Sequence, residues 1–532
     1  MDRLLDTVKG HQLSRRNVIF GAALGVIVPT LLAGCSTGGG GATTNAIGAP
    51  RTGTAAKGGI LRIARPPASK AETLDPASSL SAYEYLGALY NRLVKLSTSG
   101  SLLPDLAASW QQTPDAMTWT FTLRSDVSWH DGKPFTSADV VYTMQHILDP
   151  ATASPQAGVL SPFLTGSSIS APTATTVVFA LSSPNAEFAS LLAGYNCYII
   201  PAGSAATIGA SGIGTGPFSL TSFTAAGPGA VARNESYFGD KPMLDSIEFS
   251  SIADTQARVN ALLAGQVDFI AQTNLDFASA KLVTASTTVT VSTIKNAQWY
   301  PVPMLNSSAE FSNPLVRQAL AHAYNPTEVL QLSVQNYGTV AKNNPVPPTE
   351  AYYLDYGLDY DPDKSKSLLK QAGMDSFTSD IYTSTYDPVL TPLALALKGS
   401  MAPSNITLNV VNASADSYYT DVWMKKPLMA TYWYTGRPID QLLNQIFRSG
   451  SSYNETAYSN PTFDQTLDAA RATVDDAKRK TLYQDAQKIL IDDGGSLTPF
   501  FSDRLVGLSK KIVNYDEHGF EFDYLKIGFE AV

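Results

Sequence analysis

The sequence predicts an α/β protein built from two or three lobes. Three observations carry this expectation. The 532 residues exceed what one hydrophobic core usually organises, so the chain should divide. Stretches such as 119–124 and 244–250 alternate large apolar and polar residues, the pattern of half-buried strands. Between such stretches lie runs with helical spacing, opened by capping residues and closed by glycines. The apolar fraction of 44% and charged fraction of 16% suit a folded chain rather than a disordered one.

In chain order, 59–64 is a short strand candidate and Tyr83 to Leu93 has helical spacing. Asp131-Gly132-Lys133-Pro134 is a turn. Thr136 and Ser137 then open a helix at Ala138-Asp139-Val140. Gly214 to Phe218 permits a sharp backbone change. Asp254 to Leu263 reads as a helix stopped at Gly265, followed by a strand at 267–270. In the second half, Asn313-Pro314 and Asp361-Pro362 each precede a helix, and 406–411 is a strand. Helical, charged sequence fills the 460s to 480s, and Gly494-Gly495 breaks it.

The N-terminus reads as an address. A basic stretch ending in Arg15-Arg16 precedes the uncharged run 18–34, which contains Pro29 and ends in small residues. That order is an export signal. The same run also reads as a single anchoring helix, for which its length is marginal. Leu32-Ala33-Gly34-Cys35 resembles a lipobox, and the paired arginines resemble a twin-arginine signal. A lipidated Cys35 would hold the protein on a membrane through its acyl chains. Residues 36–59 are rich in Gly, Ala, Thr and Ser and read as a flexible tether.

The net charge of -9 argues against nonspecific nucleic-acid binding. With Cys35 lipidated, Cys197 has no partner, and it reads as a buried apolar residue rather than a nucleophile. His130 and Asp131 invite an acid–base reading. The turn reading is better, with Trp129 and Phe135 as its anchors. The histidines show no metal-ligand spacing and no Ser/His/Asp constellation stands out, so neither a cofactor, a metal site nor catalytic residues are expected.

Several phrases recur in a recognisable order. They are 106–110, 119–124 and 127–136 with Ala138-Asp139-Val140, then 214–218, 233–234, 237–242, 265–268, 316–320, 361–373 and 460–464. Together they resemble the bacterial extracellular solute-binding proteins of family 5, the oligopeptide, dipeptide and nickel receptors of ABC importers. The resemblance implies a large two-lobed periplasmic-binding-protein-like α/β fold of cluster C type. A hinge and an additional subdomain in the N-terminal half belong to it. The implied layout is export signal 1–34, lipidated cysteine and tether 35–58, and lobe one from 59–94, 214–297 and 498–532. The additional subdomain is 95–213 and lobe two is 298–497.

The implied role is a monomeric, lipid-anchored receptor on the extracytoplasmic face of the cell membrane. It would pass a peptide-like or other small organic solute to membrane permeases with cytoplasmic ATPases. A carboxylated aromatic, opine-like or sugar-related solute is the alternative. A secreted hydrolase and a non-transport sensing lipoprotein are the other classes. In peptide-binding relatives an acidic residue shortly after a Trp captures the α-ammonium. The matching stretch is Trp433-Tyr434-Thr435-Gly436-Arg437-Pro438-Ile439-Asp440, and the acidic position falls on Gly436. Asp440 would replace it only along a different backbone path. Arg437 suits a ligand carboxylate or phosphate, or a lobe-surface or hinge salt bridge. Tyr432, Trp433 and Tyr434 are the aromatic candidates for the cleft wall.

Overall fold

The computed structural model describes residues 47–67, 72–97, 101–271, 275–415, 417–518 and 521–531. The stretch 1–34, expected to be an export signal, and Cys35 lie outside these residues. The tether reading meets a correction in its described part. Thr293 N donates to Gly48 O at 2.9 Å, Asn514 N to Arg51 O at 2.7 Å and Ala56 N to Phe529 O at 2.7 Å. Residues 48–56 therefore lie against the body, because their backbone groups complete the edges of existing strands.

One mixed sheet runs through the centre. Its strands follow the order Trp433–Tyr434, Val289–Trp299, Phe500–Ser509, Phe269–Ile270, Ile60–Arg65, Ser246–Ser251, Gly229–Arg233 and Phe218–Phe223. Gly338–Val340 also pairs with Phe500–Ser509. Ile60–Arg65 lies parallel to both its neighbours. The connection from Ile60–Arg65 to Ser246–Ser251 encloses a four-stranded antiparallel sheet of Ala107–Gln112, Thr118–Leu123, Thr176–Ala180 and Ile169–Thr173. Along Thr118–Leu123 the alternate residues Trp119, Phe121 and Leu123 are buried. They meet Val140, Met144 and Ile147 in one core. Those three lie on the helix Ser137–Leu148, which opens with the expected cap: the Asp139 carboxylate accepts from Thr136 N at 2.8 Å.

The sequence 377–413 forms a strand–helix–strand unit with a parallel pair, Phe377–Ser384 beside Ile406–Ala413, and the helix Leu390–Met401 between them. A separate core gathers Tyr300 to Phe500 around this unit. A third joins Leu61 and Ile63 to Ile527. The architecture is a large bilobed α/β fold.

Two local devices tie the parts together. The backbone at Gly214 and Gly216 presses on the helix Tyr83–Leu89. A Cβ on Gly214 would stand 1.8 Å from Leu89 O, so only glycine fits. His130 locks this loop: its Nδ1 accepts from Gly214 N at 3.1 Å, and Nε2 lies 3.1 Å from Gly216 O. Burial lowers the His130 pKa, so the ring is neutral and structural. The second device is the irregularity between Ile294 and Gln298, where the two longest strands lose register. Asn296 takes φ 50 there. Asp503 holds the bulge by accepting from Asn296 N at 3.0 Å and Lys295 Nζ at 2.6 Å.

Candidate functional site: a cleft with an unpaired guanidinium

The segment 433–437 hangs on the end of this bulged strand. Trp433 and Tyr434 pair with Trp299 and Gln298. Thr435 N donates to Ala297 O at 3.0 Å, and Thr435 Oγ1 to Asn296 O at 2.7 Å. Gly436 then turns the chain at φ 90, a conformation costly for a residue with a Cβ. The backbone at 436 therefore favours glycine over an acidic residue. Pro438 closes the turn and the helix Ile439–Ile446 follows.

The turn projects Arg437 between two cavities, each about 270 Å³ in volume. Gly436, Arg437 and Pro438 line both, as does Leu96 from the N-terminal half. The first cavity adds Tyr434 and Gln441 on one side and Tyr83, Gln156, Tyr195 and Asn196 on the other. Among the described residues no carboxylate lines it. The Tyr83 and Tyr195 rings pack 4.5 Å apart. Burial pushes the Tyr83 phenol up to about 12, so it faces the cleft as a neutral hydroxyl. The second cavity is walled by Trp110 and Trp119 and by Glu187, Glu350 and Tyr352.

Arg437 is half-buried. Its Nη1 donates to Tyr434 O at 2.7 Å. Its guanidinium carbon lies 5.1 Å from the centre of the Trp433 ring, a cation–π contact. No Asp or Glu among the described residues pairs with it. Burial pushes its pKa down to about 10, which still leaves it charged at neutral pH. A desolvated cation with spare donors is built to receive an anion.

The other sequence candidates fall in different places. Tyr434 lines the first cavity, and Gly436 and Arg437 line both. Trp433 lines neither and supports Arg437 from beneath. Tyr432 stands behind, packed against Tyr300, Tyr386 and Tyr434 at 6.0, 5.7 and 5.5 Å between ring centres. Asp440 is fully buried. Its carboxylate accepts from Arg471 Nε at 2.7 Å, Arg471 Nη2 at 3.0 Å and Tyr483 Oη at 3.0 Å. It does not replace the carboxylate missing at 436, because those partners hold it beneath the helix.

Sequence reasoning passed over Glu187 and Glu350. Glu187 pairs with Arg479 at 2.7 Å, a contact between the two halves of the chain. Burial pushes its carboxyl up to about 7. Glu350 is half-buried and makes no ion pair among the described residues. Its carboxylate takes an N–H from Ala351 at 2.9 Å, and burial raises its pKa. No group of three metal-ligating side chains occurs among the described residues. Cys197 is buried, its thiol pushed up to about 12 by desolvation, and it packs as an apolar residue.

Comparison with known proteins agrees with the fold. The family model described as bacterial extracellular solute-binding proteins, family 5 Middle, matches residues 101–455. The chain is 28% identical to the dipeptide-binding protein of Escherichia coli over 477 residues, covering 80% of this chain and 86% of that one. It is 27% identical to heme-binding protein A of Haemophilus influenzae, covering 82% and 85%. Among solved structures, the peptide-bound periplasmic binding protein DppA of Helicobacter pylori superposes with a TM-score of 0.75. That pair is 23% identical, with 90% of this chain and 99% of that one covered. The substrate-binding protein CtaP of Listeria monocytogenes gives 0.79 at 22% identity, covering 89% and 100%. AgaA of A. tumefacien R10, in complex with agropinic acid, gives 0.73 at 23% identity, covering 89% and 99%. The chain belongs to the bacterial extracellular solute-binding proteins of family 5.

Proposed function

We propose that this protein is the receptor of an ABC importer and that it captures a small organic solute bearing a carboxylate. The observation that carries the reading is Arg437, charged, half-buried between two cavities and without an ion-pair partner among the described residues. The names of the relatives leave the solute open, since they include dipeptide, heme and glutathione binders. Local chemistry narrows it. Gly436 has no carboxylate for an α-ammonium, whereas Arg437 supplies a fork of donors for a carboxylate.

A peptide-like zwitterion remains the leading class. Glu350, in the cavity on one side of Arg437, supplies a carboxylate for a ligand cation. The solute would then lie with its anion on Arg437 and its cation toward Glu350. Lobe closure is the natural partner of this binding, because contacts made only in the closed state shift the hinge equilibrium. The bulge at 294–298 is the place where we put the bend. Lipidation at Cys35 and delivery to permeases complete the proposal.

Deletion of the gene, followed by uptake measured over candidate carboxylated solutes, tests the role. Loss of uptake of one solute class supports it. Unchanged uptake throughout, with binding intact in vitro, would point to a sensing lipoprotein instead.

A further inference from the structure

Behind the Arg437 wall lies a carboxylate that no sequence pattern singled out. Glu455 is 2% exposed. Its Oε1 accepts from the Trp423 indole N–H, and its Oε2 from the Trp433 indole N–H at 2.9 Å. The Tyr453 ring flanks both tryptophans, 6.3 and 6.1 Å from their centres. Burial pushes the carboxyl up to about 7, and the groups that hold it down are the two indoles and Thr431.

Among the described residues no cation pairs with Glu455. Tyr418 and Tyr419 face Glu455 from the turn 418–422, each feeling its charge. Lys425 and Lys426, which follow that turn, are directed to Thr420 O and the Tyr382 ring. A buried carboxylate without a cation is unfavourable, and an apolar side chain would pack there at lower cost. What only a carboxylate provides is two acceptor oxygens for two indole donors. Glutamine brings one acceptor and two donors.

We infer that Glu455 is a positioning residue for the cleft cation: by bridging the Trp423 and Trp433 indoles it fixes the ring on which Arg437 lies, and so sets where the guanidinium meets solute. The last step rests on the proposed role of Arg437, while the bridge itself does not. The arrangement also couples the wall to pH. Adding a proton puts an O–H on one oxygen, removes the negative charge and weakens that oxygen as an acceptor, so the bridge to one indole weakens. With burial raising the carboxyl to about 7, the bridge is strongest above that value and weakens as the pH falls through it.

The test uses the full chain labelled with ¹⁵N and needs no solute. Indole N–H resonances are followed through a pH titration, with Trp423→Phe and Trp433→Phe as assignments. Two indole resonances should move together with a midpoint near the carboxyl's value of about 7, and Glu455→Gln should abolish that movement. In parallel, Arg437 modification by phenylglyoxal is timed by peptide mass spectrometry. Glu455→Gln should accelerate it several-fold and leave Arg448, paired with Asp468 at 2.7 Å, unchanged.

Indole resonances that ignore pH in the wild type, or an unchanged Arg437 rate in the variant, would overturn the inference. Should Glu455→Gln fail to fold, the wild-type titration and Trp433→Phe decide. That variant keeps a ring beneath Arg437 but removes the N–H, so Arg437 should again react several-fold faster, and an unchanged rate overturns the proposal. A wild type that shows the bridge yet binds no anion sinks the proposed function and not this inference.

Discussion

Arg437 rests on Trp433, its guanidinium carbon 5.1 Å from the centre of the ring, while one of its nitrogens donates to Tyr434 O at 2.7 Å. The indole face and the carbonyl hold the cation without neutralising it, so its remaining donors stay available to a ligand. A charge-assisted hydrogen bond to a carboxylate contributes about 1.5–3 kcal/mol. Arg437→Ala should therefore weaken an anionic solute roughly 10- to 100-fold in Kd. Arg437→Lys should recover only part of this, since an ammonium lacks the planar fork. Calorimetry measures both, and equal affinities in all three proteins would contradict the assignment.

Gly436 sits at φ 90. Gly436→Asp places a carboxylate at the position where the family resemblance would put an ammonium-binding acid, but it forces a Cβ into the left-handed region at about 1–2 kcal/mol. The variant should melt lower than wild type. It should show no new preference for a dipeptide over its N-acetylated form. Gain of a free-amine preference with unchanged melting would show that the backbone is not the obstacle.

Asp440 is a structural carboxylate. With Arg471 it forms a buried pair, the Asp side chain fully covered and the Arg side chain 14% exposed. Asp440→Asn leaves that guanidinium poorly compensated and should cost about 3–5 kcal/mol in urea unfolding. Affinity of the folded fraction should stay close to wild type. A large affinity loss with full stability would move Asp440 into the binding machinery.

Glu187 gives the pair with Arg479 a pH dependence. Its carboxyl is raised from the usual 4.5 to about 7 by burial. A raised folded-state pKa contributes stability that is present below the unfolded value and lost as pH rises through the folded one. The window for Glu187 is therefore from about 4.5 to about 7. Glu187→Gln should reduce the fall of Tm across that window. An identical slope in both proteins would remove Glu187 from the titration.

Local features of the fold were legible in the sequence because their causes are local. The alternation in 119–124 produced a strand with Trp119, Phe121 and Leu123 buried. The Thr136 cap and the Asp254 cap opened helices where expected. Asn325 caps Pro326–Val334 through its side chain, as its place before Pro326 allows. The 48–56 segment was misjudged because its composition is that of a linker, while its hydrogen bonds are to strands more than 200 residues away. The same limit hid half of the site. Arg437 announced itself beside a tryptophan, but Glu187 meets Arg479 across 291 intervening residues, and Glu350 reaches the cleft from a proline-rich loop. Glu455 has no motif at all, since its role depends on two indoles brought together by folding.

The most direct measurement purifies the exported protein, identifies by mass spectrometry the molecules it releases on denaturation, and titrates the identified molecule into wild type and Arg437→Ala by calorimetry. The account predicts a small carboxylated solute, recovered chemically unchanged, that saturates one site in the wild type and binds the variant at least tenfold more weakly. A released molecule without an anionic group, or equal binding by both proteins, would contradict it.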